Sequence, residues 1–290
     1  MRHLTNIVSA FAAVLTLIAF APFARAQQQA PPLQVKPLTG GVYWTQGGDG
    51  GNTGIIVGKG GVIVIDAKTT PASAKEMLGD IAKLTTEPIN TVIITHSDQD
   101  HVNGLAAFPS GLTIIAQENC KKEMEESESS KNPAPADRMP TKTYDKKENT
   151  TIDGVRLELL HVAPAHTSGD TIVYIPAQKI VFTGDIIATQ FPYPIIHLEK
   201  HGSSEGWIQT AKALVALNAT TYVPGHGDLQ TKEDIQKRID TTVARRAEIK
   251  KLVDEGKSLD QVKEALGEPN TPSRFPTFTE VVYKELSTKS

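Results

Sequence analysis

Residues 91–101 read TVIITHSDQDH, and this stretch says more about the fold than any other part of the chain. A β-branched run, typical of a buried strand, ends in four ligand-type side chains: His96, Asp98, Asp100 and His101. Imidazole and carboxylate groups are ligands that borderline divalent metals accept. Because such groups cost folding free energy when they are buried together without a partner, the segment predicts a metal site at the end of a strand.

Two alternatives compete with the transition-metal interpretation of this segment. One is a solvated polar turn, and the other is a calcium-binding loop with Asp-x-Asp spacing. The calcium loop is disfavoured because Val102 stands where a third oxygen ligand belongs and Asn103 where the turn glycine belongs. The solvated turn is disfavoured because ligand-type residues recur at three later positions in the chain.

Three later segments repeat the pattern of an apolar run that ends in a ligand-type residue. They place His166 in a Thr-Ser-Gly-Asp turn, Asp185 after a Thr-Gly pair, and His226 in a Pro-Gly-His-Gly turn. Taken singly, such a histidine is more often a surface residue and such an aspartate more often a turn residue. Four strand ends of this kind in one chain favour a single site, because the ends of different strands can converge on one edge of a sandwich.

The first 26 residues predict a secretory signal peptide, and residues 27–36 a polar linker. Arg2 and His3 precede an apolar run, and residues 24–26 offer small side chains for cleavage near Ala26. An uncleaved membrane anchor is the alternative, although the apolar run is short for a span. We therefore expect a periplasmic or secreted protein with no stable membrane insertion after cleavage.

Charge and cysteine content narrow the classes of partner. Removing Arg2 and Arg25 with the signal leaves 28 basic against 33 acidic residues, a net charge of about −5, which argues against nucleic acid. Cys120 is the only cysteine, so no intramolecular disulfide can form and stability must come from a core. We expect a buried, inert thiol there, and a small-molecule substrate as partner; the sequence leaves the oligomeric state open.

The order of predicted elements indicates an α/β fold. Residues 40–116 and 151–223 are two strand-rich stretches in which strands are followed by helices, which predicts a sandwich of two sheets with helices outside. From residue 231 the pattern becomes wholly helical, and Ser258 with Gln261 gives a capping signal. We expect one domain over residues 37–230 and a helical C-terminal extension over 231–290 packed on it.

With four motifs in this order, the chain resembles the metallo-β-lactamase superfamily of hydrolases. The motifs are a His-x-His-x-Asp-His-like run at 96–101, Ala-His-Thr-Ser-Gly at 165–169, Thr-Gly-Asp at 183–185 and Pro-Gly-His at 224–226. The resemblance spans about residues 40 to 230. It implies an αββα sandwich with a binuclear metal site at one edge.

Carried over motif by motif, the resemblance implies two sets of ligands. The first metal would be held by His96, Asp98 and His166, and the second by Asp100, His101 and His226, with Asp185 bridging or terminal. Two divalent ions are expected, with zinc favoured. Asp66 and Asp170 are expected to support the ligands through hydrogen bonds.

Asp98 departs from the family motif, which has a histidine at this position. An extra carboxylate should make the first site harder and raise the pKa of its bound water, so iron or manganese also fits. Loss of the first metal is a further alternative. His197 and His201 follow an aromatic, proline-rich stretch, and we expect them to be exposed to solvent rather than to line the pocket.

The expected activity is hydrolysis by a metal-bound hydroxide, with Asp100 as the catalytic residue that helps to align it. A small ester, lactone or β-lactam is the expected substrate. No Gly-x-Ser-x-Gly motif occurs and Cys120 lies away from every motif, which disfavours a side-chain nucleophile. Two alternatives stay open: an iron-containing redox protein of the same fold that handles oxygen or sulfur compounds, and a binding protein with a degenerate site.

Overall fold

A computed structural model describes residues 31–128, 138–269, 273 and 275–288. The predicted signal peptide lies outside the described residues. Within them, the strands form two sheets that pack face to face. The predicted α/β sandwich is confirmed by this architecture.

The first sheet has seven described strands in the order in which they follow one another along the chain. Neighbours pair antiparallel from β1 to β4 and parallel from β4 to β7. The strands are β1 (Gln34–Pro37), β2 (Val42–Gln46), β3 (Thr53–Val57), β4 (Val62–Ile65), β5 (Ile89–Ile93), β6 (Thr113–Gln117) and β7 (Lys142–Tyr144).

The second sheet has five described strands in the order β12-β11-β10-β9-β8. All neighbours are antiparallel except β11 and β12, which run parallel. The strands are β8 (Lys147–Ile152), β9 (Val155–Leu160), β10 (Ile172–Ile175), β11 (Ile180–Phe182) and β12 (Thr221–Val223).

The α-helices of the described chain lie outside the two sheets. They are α1 (Pro71–Leu84), α2 (Gln99–Val102), α3 (Glu118–Glu128), α4 (Ser204–Ala216), α5 (Lys232–Asp254), α6 (Leu259–Ala265) and α7 (Phe278–Ser287). Helix α1 begins where it does because Thr70 and Ser73 form a capping box and Pro71 occupies the first turn. None of the described helices has the length and apolar character needed to cross a membrane.

Three layers of buried side chains hold the sandwich together. Between the sheets, Ile63 and Ile93 of the first pack with Leu159 and Val173 of the second. Outside the first sheet, Met77 of α1 joins a cluster with residues of β4 and β5. Outside the second sheet lies a third cluster, formed by side chains of β10–β12 with those of α4–α7: among them Tyr222, Trp207, Ile235, Val262 and Val281.

One feature differs from the sequence-based expectation, and another adds detail to it. Gln34–Pro37 form β1 instead of the end of a linker, because they pair with β2 and Val35 packs against the first sheet's outer cluster. The C-terminal extension ends in a separate helix, α7, which begins at a capping box formed by Thr277 and Glu280. Val281 and Val282 are fully buried, so this helix is part of the third layer.

Candidate metal centre

The carboxyl ends of several strands carry the predicted ligands to one edge of the sandwich. The loop after β5 carries His96 and Asp98, and α2 follows with Asp100 and His101. The second sheet contributes one residue each from the β9–β10 loop, the turn after β11 and the turn after β12: His166, Asp185 and His226. The structure brings all seven predicted ligands together, although they come from both sheets.

A first cluster consists of His96, Asp98 and His166, whose ligand atoms all lie within 4.8 Å of one another. Asp98 Oδ2 is 3.1 Å from His166 Nε2 and 3.8 Å from His96 Nε2. Both histidines are buried. This is the set that the family resemblance assigned to the first metal.

A second cluster consists of Asp100, His101 and His226, again with ligand atoms within 4.8 Å of one another. His226 Nε2 is 2.9 Å from Asp100 Oδ2 and 3.4 Å from His101 Nε2. Asp185 stands between the two clusters: its Oδ1 is 3.3 Å from His101 Nε2, and its Oδ2 is 3.9 Å from His166 Nε2. The placement of Asp185 suits a bridging ligand.

Hydrogen bonds behind the imidazoles decide which ring nitrogen faces the site. His166 Nδ1 lies 2.8 Å from the carbonyl oxygen of Ile195, which can only accept, so Nδ1 carries the proton. The Thr95 hydroxyl donates to Asp66 and therefore accepts from His96 Nδ1 at 2.9 Å. Both rings consequently keep Nδ1 for the support behind them and turn Nε2, the nitrogen that can bind a metal ion, toward the site.

The donor set fits divalent metal ions. His96 Nε2 and Asp185 Oδ1 are buried atoms without a hydrogen-bond partner among the described residues. His101 Nδ1 donates to Asp66, so its Nε2 is the nitrogen that faces Asp185 Oδ1 and the site. Buried acceptors without a donor are costly unless a cation lies beside them. Imidazole nitrogens with carboxylate oxygens suit zinc, iron or manganese.

Close backbone packing leaves the ligands little freedom. A Cβ on Gly51 would lie 2.2 Å from a ring carbon of His101, and one on Gly225 would lie 1.9 Å from Asp185 Oδ1. Glycine is therefore required at both positions for the chain to approach the ligands. These two contacts hold the second cluster and the bridging carboxylate in place.

The electrostatics of the clusters favour cations. Burial raises the pKa of Asp98, but hydrogen bonds from His166 and His197 outweigh it and hold that pKa well below its usual value. Burial lowers the pKa of His166, yet the carboxylates of Asp98 and Asp185 raise it to about 10. Without a metal ion the carboxylates retain protons on His101, His166 and His226, so protons and metal ions compete for these nitrogens; burial instead lowers the pKa of His96, which stays neutral.

The two predicted supporting aspartates act in different ways. Asp66 accepts hydrogen bonds from His101 Nδ1 at 2.8 Å and from the Thr95 hydroxyl at 2.7 Å, so it contacts a predicted ligand directly. Asp170 contacts no ligand ring. Its carboxylate accepts from the backbone N–H groups of Ala165 and Thr167, so it fixes the loop that carries His166 and does not orient the imidazole, which corrects the sequence-based expectation.

The environment of Asp98 contains two residues whose roles the sequence did not indicate. The sequence predicts exposure for both His197 and His201. His197 is instead only 8% exposed, and its Nε2 lies 3.2 Å from Asp98 Oδ2. His201 is exposed, as predicted. The Lys200 ammonium lies 2.5 Å from Asp98 Oδ1. His197 and Lys200 are separated by an apolar and an acidic residue, and this spacing resembles no ligand motif. Their contacts with Asp98 are therefore evident only from the fold.

Cys120 is fully buried, as expected from the sequence. Burial raises the pKa of its thiol well above the usual value, so the thiol stays protonated at neutral pH. A protonated, inaccessible thiol is a poor nucleophile. Cys120 therefore belongs to the core and not to the site.

A cavity of about 1000 Å³ opens above the metal-binding cluster. Its floor contains Asp98, Asp100, His166, Asp185 and His226. Its described walls are rich in aromatic side chains, contributed by the segment after β11 and by the C-terminal extension: Phe191, Tyr193, Phe275 and Phe278. The site therefore combines a polar, ligand-rich floor with apolar walls, which is typical of small-molecule sites.

Comparison with known proteins supports the family resemblance. The family model described as "Metallo-beta-lactamase superfamily" matches residues 46–226, which include all seven predicted ligands. The chain is 29% identical over 198 residues to "2,4-dinitroanisole O-demethylase subunit alpha" from a Nocardioides species, covering 68% of this chain and 58% of that protein. It is 24% identical over 211 residues to "Linear primary-alkylsulfatase" from a Pseudomonas species, covering 58% of this chain and 39% of the relative. The match thus spans only about half the length of these relatives.

Solved structures share the fold. A metallo-beta-lactamase from Pontibacter korlensis superposes with a TM-score of 0.62 at 20% identity, covering 73% of this chain and 99% of that one. A double mutant of the sec-alkyl sulfatase PisA1 superposes with a TM-score of 0.68 at 15% identity, covering 89% of this chain and 50% of that one.

Proposed function

Because the chain belongs to the metallo-beta-lactamase superfamily, we propose that it is a metal-dependent hydrolase of a small ester, lactone or β-lactam, with esters and lactones carrying an apolar substituent favoured. Members of this superfamily are mostly metal-dependent hydrolases, including the alkylsulfatase relative. One observation carries the proposal: two three-ligand clusters, with Asp185 between them, lie at the bottom of an aromatic-walled cavity and expose Asp98, Asp100, His166, Asp185 and His226 to it.

The first cluster would hold one ion and the second cluster another, with Asp185 shared between them. When bound, such ions lower the pKa of a coordinated water and polarise the substrate oxygen. Zinc is the favoured metal, and iron or manganese also fits the carboxylate content. The chain's own part is to hold these ligands rigidly, through Asp66, Thr95 and the Ile195 carbonyl.

Asp100 is the residue that we propose as catalytic. It lines the cavity with its side chain 36% exposed, and its Oδ2 lies 2.9 Å from His226 Nε2. Burial alone would raise the pKa of Asp100, but the hydrogen bond to His226 and the charge of His101 lower it to about 2. Asp100 is therefore ionised at neutral pH and can accept a hydrogen bond that orients a water facing the substrate.

The cavity walls indicate what kind of substrate would fit. Aromatic side chains at the mouth and along the C-terminal extension can bury an apolar group next to the ligand-rich floor. The names of both relatives denote removal of an oxygen-linked group, which supports esters over amides for this chain. Export of the protein by the predicted signal over residues 1–26 is also part of the proposal, and N-terminal sequencing of protein from an expressing cell's periplasm or medium would check it.

The activity is tested with protein starting at Gln27 against chromogenic esters, lactones and a β-lactam. We expect hydrolysis that a chelator abolishes and that added metal restores. Asp100→Ala should abolish turnover while the far-UV circular dichroism spectrum stays unchanged, because Asp100 lies in a short helix at the edge of the core. The matched control is Asp228→Ala, a substitution in the exposed turn beyond His226. Equal turnover by the wild type and Asp100→Ala would refute the proposed mechanism.

A further inference from the structure

We propose that Lys200 is a positioning residue for the first metal site: its ammonium binds Asp98 Oδ1, directs Oδ2 toward the metal ion, and offsets the negative charge of the aspartate. The inference rests on the proposed function, since it concerns how the first cluster holds its ion. In this proposal Asp98 and Lys200 together replace the single histidine that stands at this position in the family motif.

The two oxygens of Asp98 have different surroundings. Oδ1 lies 2.5 Å from the Lys200 ammonium, a charge-assisted hydrogen bond. Oδ2 faces the first cluster, 3.1 Å from His166 Nε2 and 3.8 Å from His96 Nε2. An ion held by both histidines can therefore reach Oδ2, while the positive charge of Lys200 disfavours a metal ion at Oδ1.

The Lys200 ammonium is fixed by its local structure. Residues Leu198–Lys200 form a 3₁₀ turn that ends at His201, which has a left-handed φ of 56°. Besides Asp98, the ammonium donates to Ser97 Oγ at 3.0 Å, and Ser97 in turn donates to Glu123 at 2.6 Å. A lysine with two acceptors and a side chain 26% exposed is held more firmly than a lysine on the open surface.

His197 confines the carboxylate from another side. Its Nε2 lies 3.2 Å from Asp98 Oδ2, and its ring centroid lies 4.8 Å from that of His166. Its Nδ1 is 2.6 Å from Glu199 Oε1, which fixes the ring orientation. With Lys200 at one oxygen and His197 beside the other, the carboxylate has little freedom to rotate into a two-oxygen binding mode.

The charge count explains why this arrangement matters. Asp98 places one negative charge where a histidine would be neutral, and Lys200 supplies one positive charge at hydrogen-bond distance. A proton that makes His197 cationic is balanced by the Glu199 carboxylate on its other nitrogen. The ion at the first site then experiences nearly the net charge that an all-histidine site would give it. The pair thereby offsets the weakening of the ion's acidity that Asp98 alone would cause.

The test is a Co²⁺ titration of metal-free protein against a competing chelator, followed by the visible absorption of bound cobalt. Lys200→Met removes a cation beside the site, so we expect one binding step to become about tenfold tighter or more, with a spectrum that shifts toward higher coordination number as Oδ1 becomes available. Lys200→Arg should keep the wild-type affinity and spectrum. Lys212→Met, on an exposed face of α4, should change nothing.

A residue that only stabilised the fold would give the opposite sign, because a loosened site binds metal more weakly. Lys200→Gln, which keeps a donor but not the charge, should also bind more tightly and serves if Lys200→Met does not fold. In an Asp98→His background, Lys200→Met should remove the repulsion between the ammonium and the bound ion. The cobalt spectrum should then indicate no change in coordination number. Unchanged or weaker binding by both neutral variants overturns the inference while leaving the proposed function intact; wild-type protein that binds no transition metal overturns both.

Discussion

The Asp66 carboxylate accepts a hydrogen bond from His101 Nδ1 over 2.8 Å, and both residues are almost completely buried. Asp66 adopts a left-handed φ of 63°, a strained conformation for a non-glycine residue. Strain of this kind persists only where the surroundings enforce it. At the end of β4, the contact fixes the tautomer of His101 and directs its Nε2 into the metal-binding cluster.

Replacing this carboxylate should weaken the second site. We expect Asp66→Ala to lower metal affinity by about 10- to 100-fold, because His101 loses the acceptor that orients it. Titration with a competing chelator measures the change. Asp80→Ala, on the surface of α1 next to Lys83, is the control. Wild-type affinity in Asp66→Ala would show that the contact does not orient a ligand.

Adding a methyl group at Gly51 should have a larger and more local effect. Its Cβ would lie 2.2 Å from a ring carbon of His101, so Gly51→Ala should displace that imidazole and leave one bound ion instead of two. Gly79→Ala in α1 meets nothing within 4 Å and should stabilise the protein by about 0.5–1 kcal/mol. Elemental analysis and thermal unfolding of both variants measure these outcomes, and two ions retained by Gly51→Ala would contradict the geometry.

Metal binding should stabilise the protein more at high pH than at low pH. In the metal-free protein the pKa of His166 is raised to about 10 by Asp98 and Asp185 despite burial. The raised pKa contributes stability that is fully present below about pH 6.5 and is lost as the pH rises from there through about 10. Over the same window the imidazole becomes free to bind metal. We therefore expect the Tm increase caused by added Zn²⁺ to grow between pH 6 and pH 9, and a constant or shrinking increase in scanning calorimetry would count against proton–metal competition.

The aromatic wall of the cavity should set substrate preference. Phe191 lines the cavity with 41% of its surface exposed, so Phe191→Ala should raise KM for esters with an apolar chain by several-fold, about 1 kcal/mol of lost apolar contact, and should leave short acetyl esters nearly unaffected. Leu84→Ala is a control of matched exposure, 38%, at the end of α1. If KM rises equally for short and long esters, Phe191 does not contact the apolar chain.

Much of the fold could be predicted because local pattern and final structure agree. The apolar residues Ala74, Met77, Leu78 and Ile81 recur at helical spacing in the sequence, and α1 buries Ala74, Met77 and Ile81 and partly buries Leu78. The strand before His96 could be predicted from its β-branched run. Each of the four ligand motifs follows a short apolar run, so the ligands could be expected to lie at strand ends and to converge at one edge of the sandwich. Placing Asp185 between the two clusters required the family resemblance.

The missed features depend on contacts between distant parts of the chain. Lys200 and His197 reach Asp98 only because a 3₁₀ turn brings them beside a loop about a hundred residues earlier. The role of Asp170 was misjudged because its nearest donors are backbone N–H groups, which no side-chain pattern reveals. Strand β1 was missed because its sequence, QVKP, has little β-propensity of its own and its pairing with β2 decides its conformation.

The most direct test of this account is the metal content of protein purified without added metal, compared between the wild type and a variant that lacks one ligand from each cluster. Elemental analysis should find about two transition-metal ions per chain in the wild type and none in His166→Ala/His226→Ala, with an unchanged far-UV circular dichroism spectrum. Single variants should each retain about one ion. Wild-type protein that contains no stoichiometric transition metal, even after reconstitution with zinc, iron and manganese, would contradict the account.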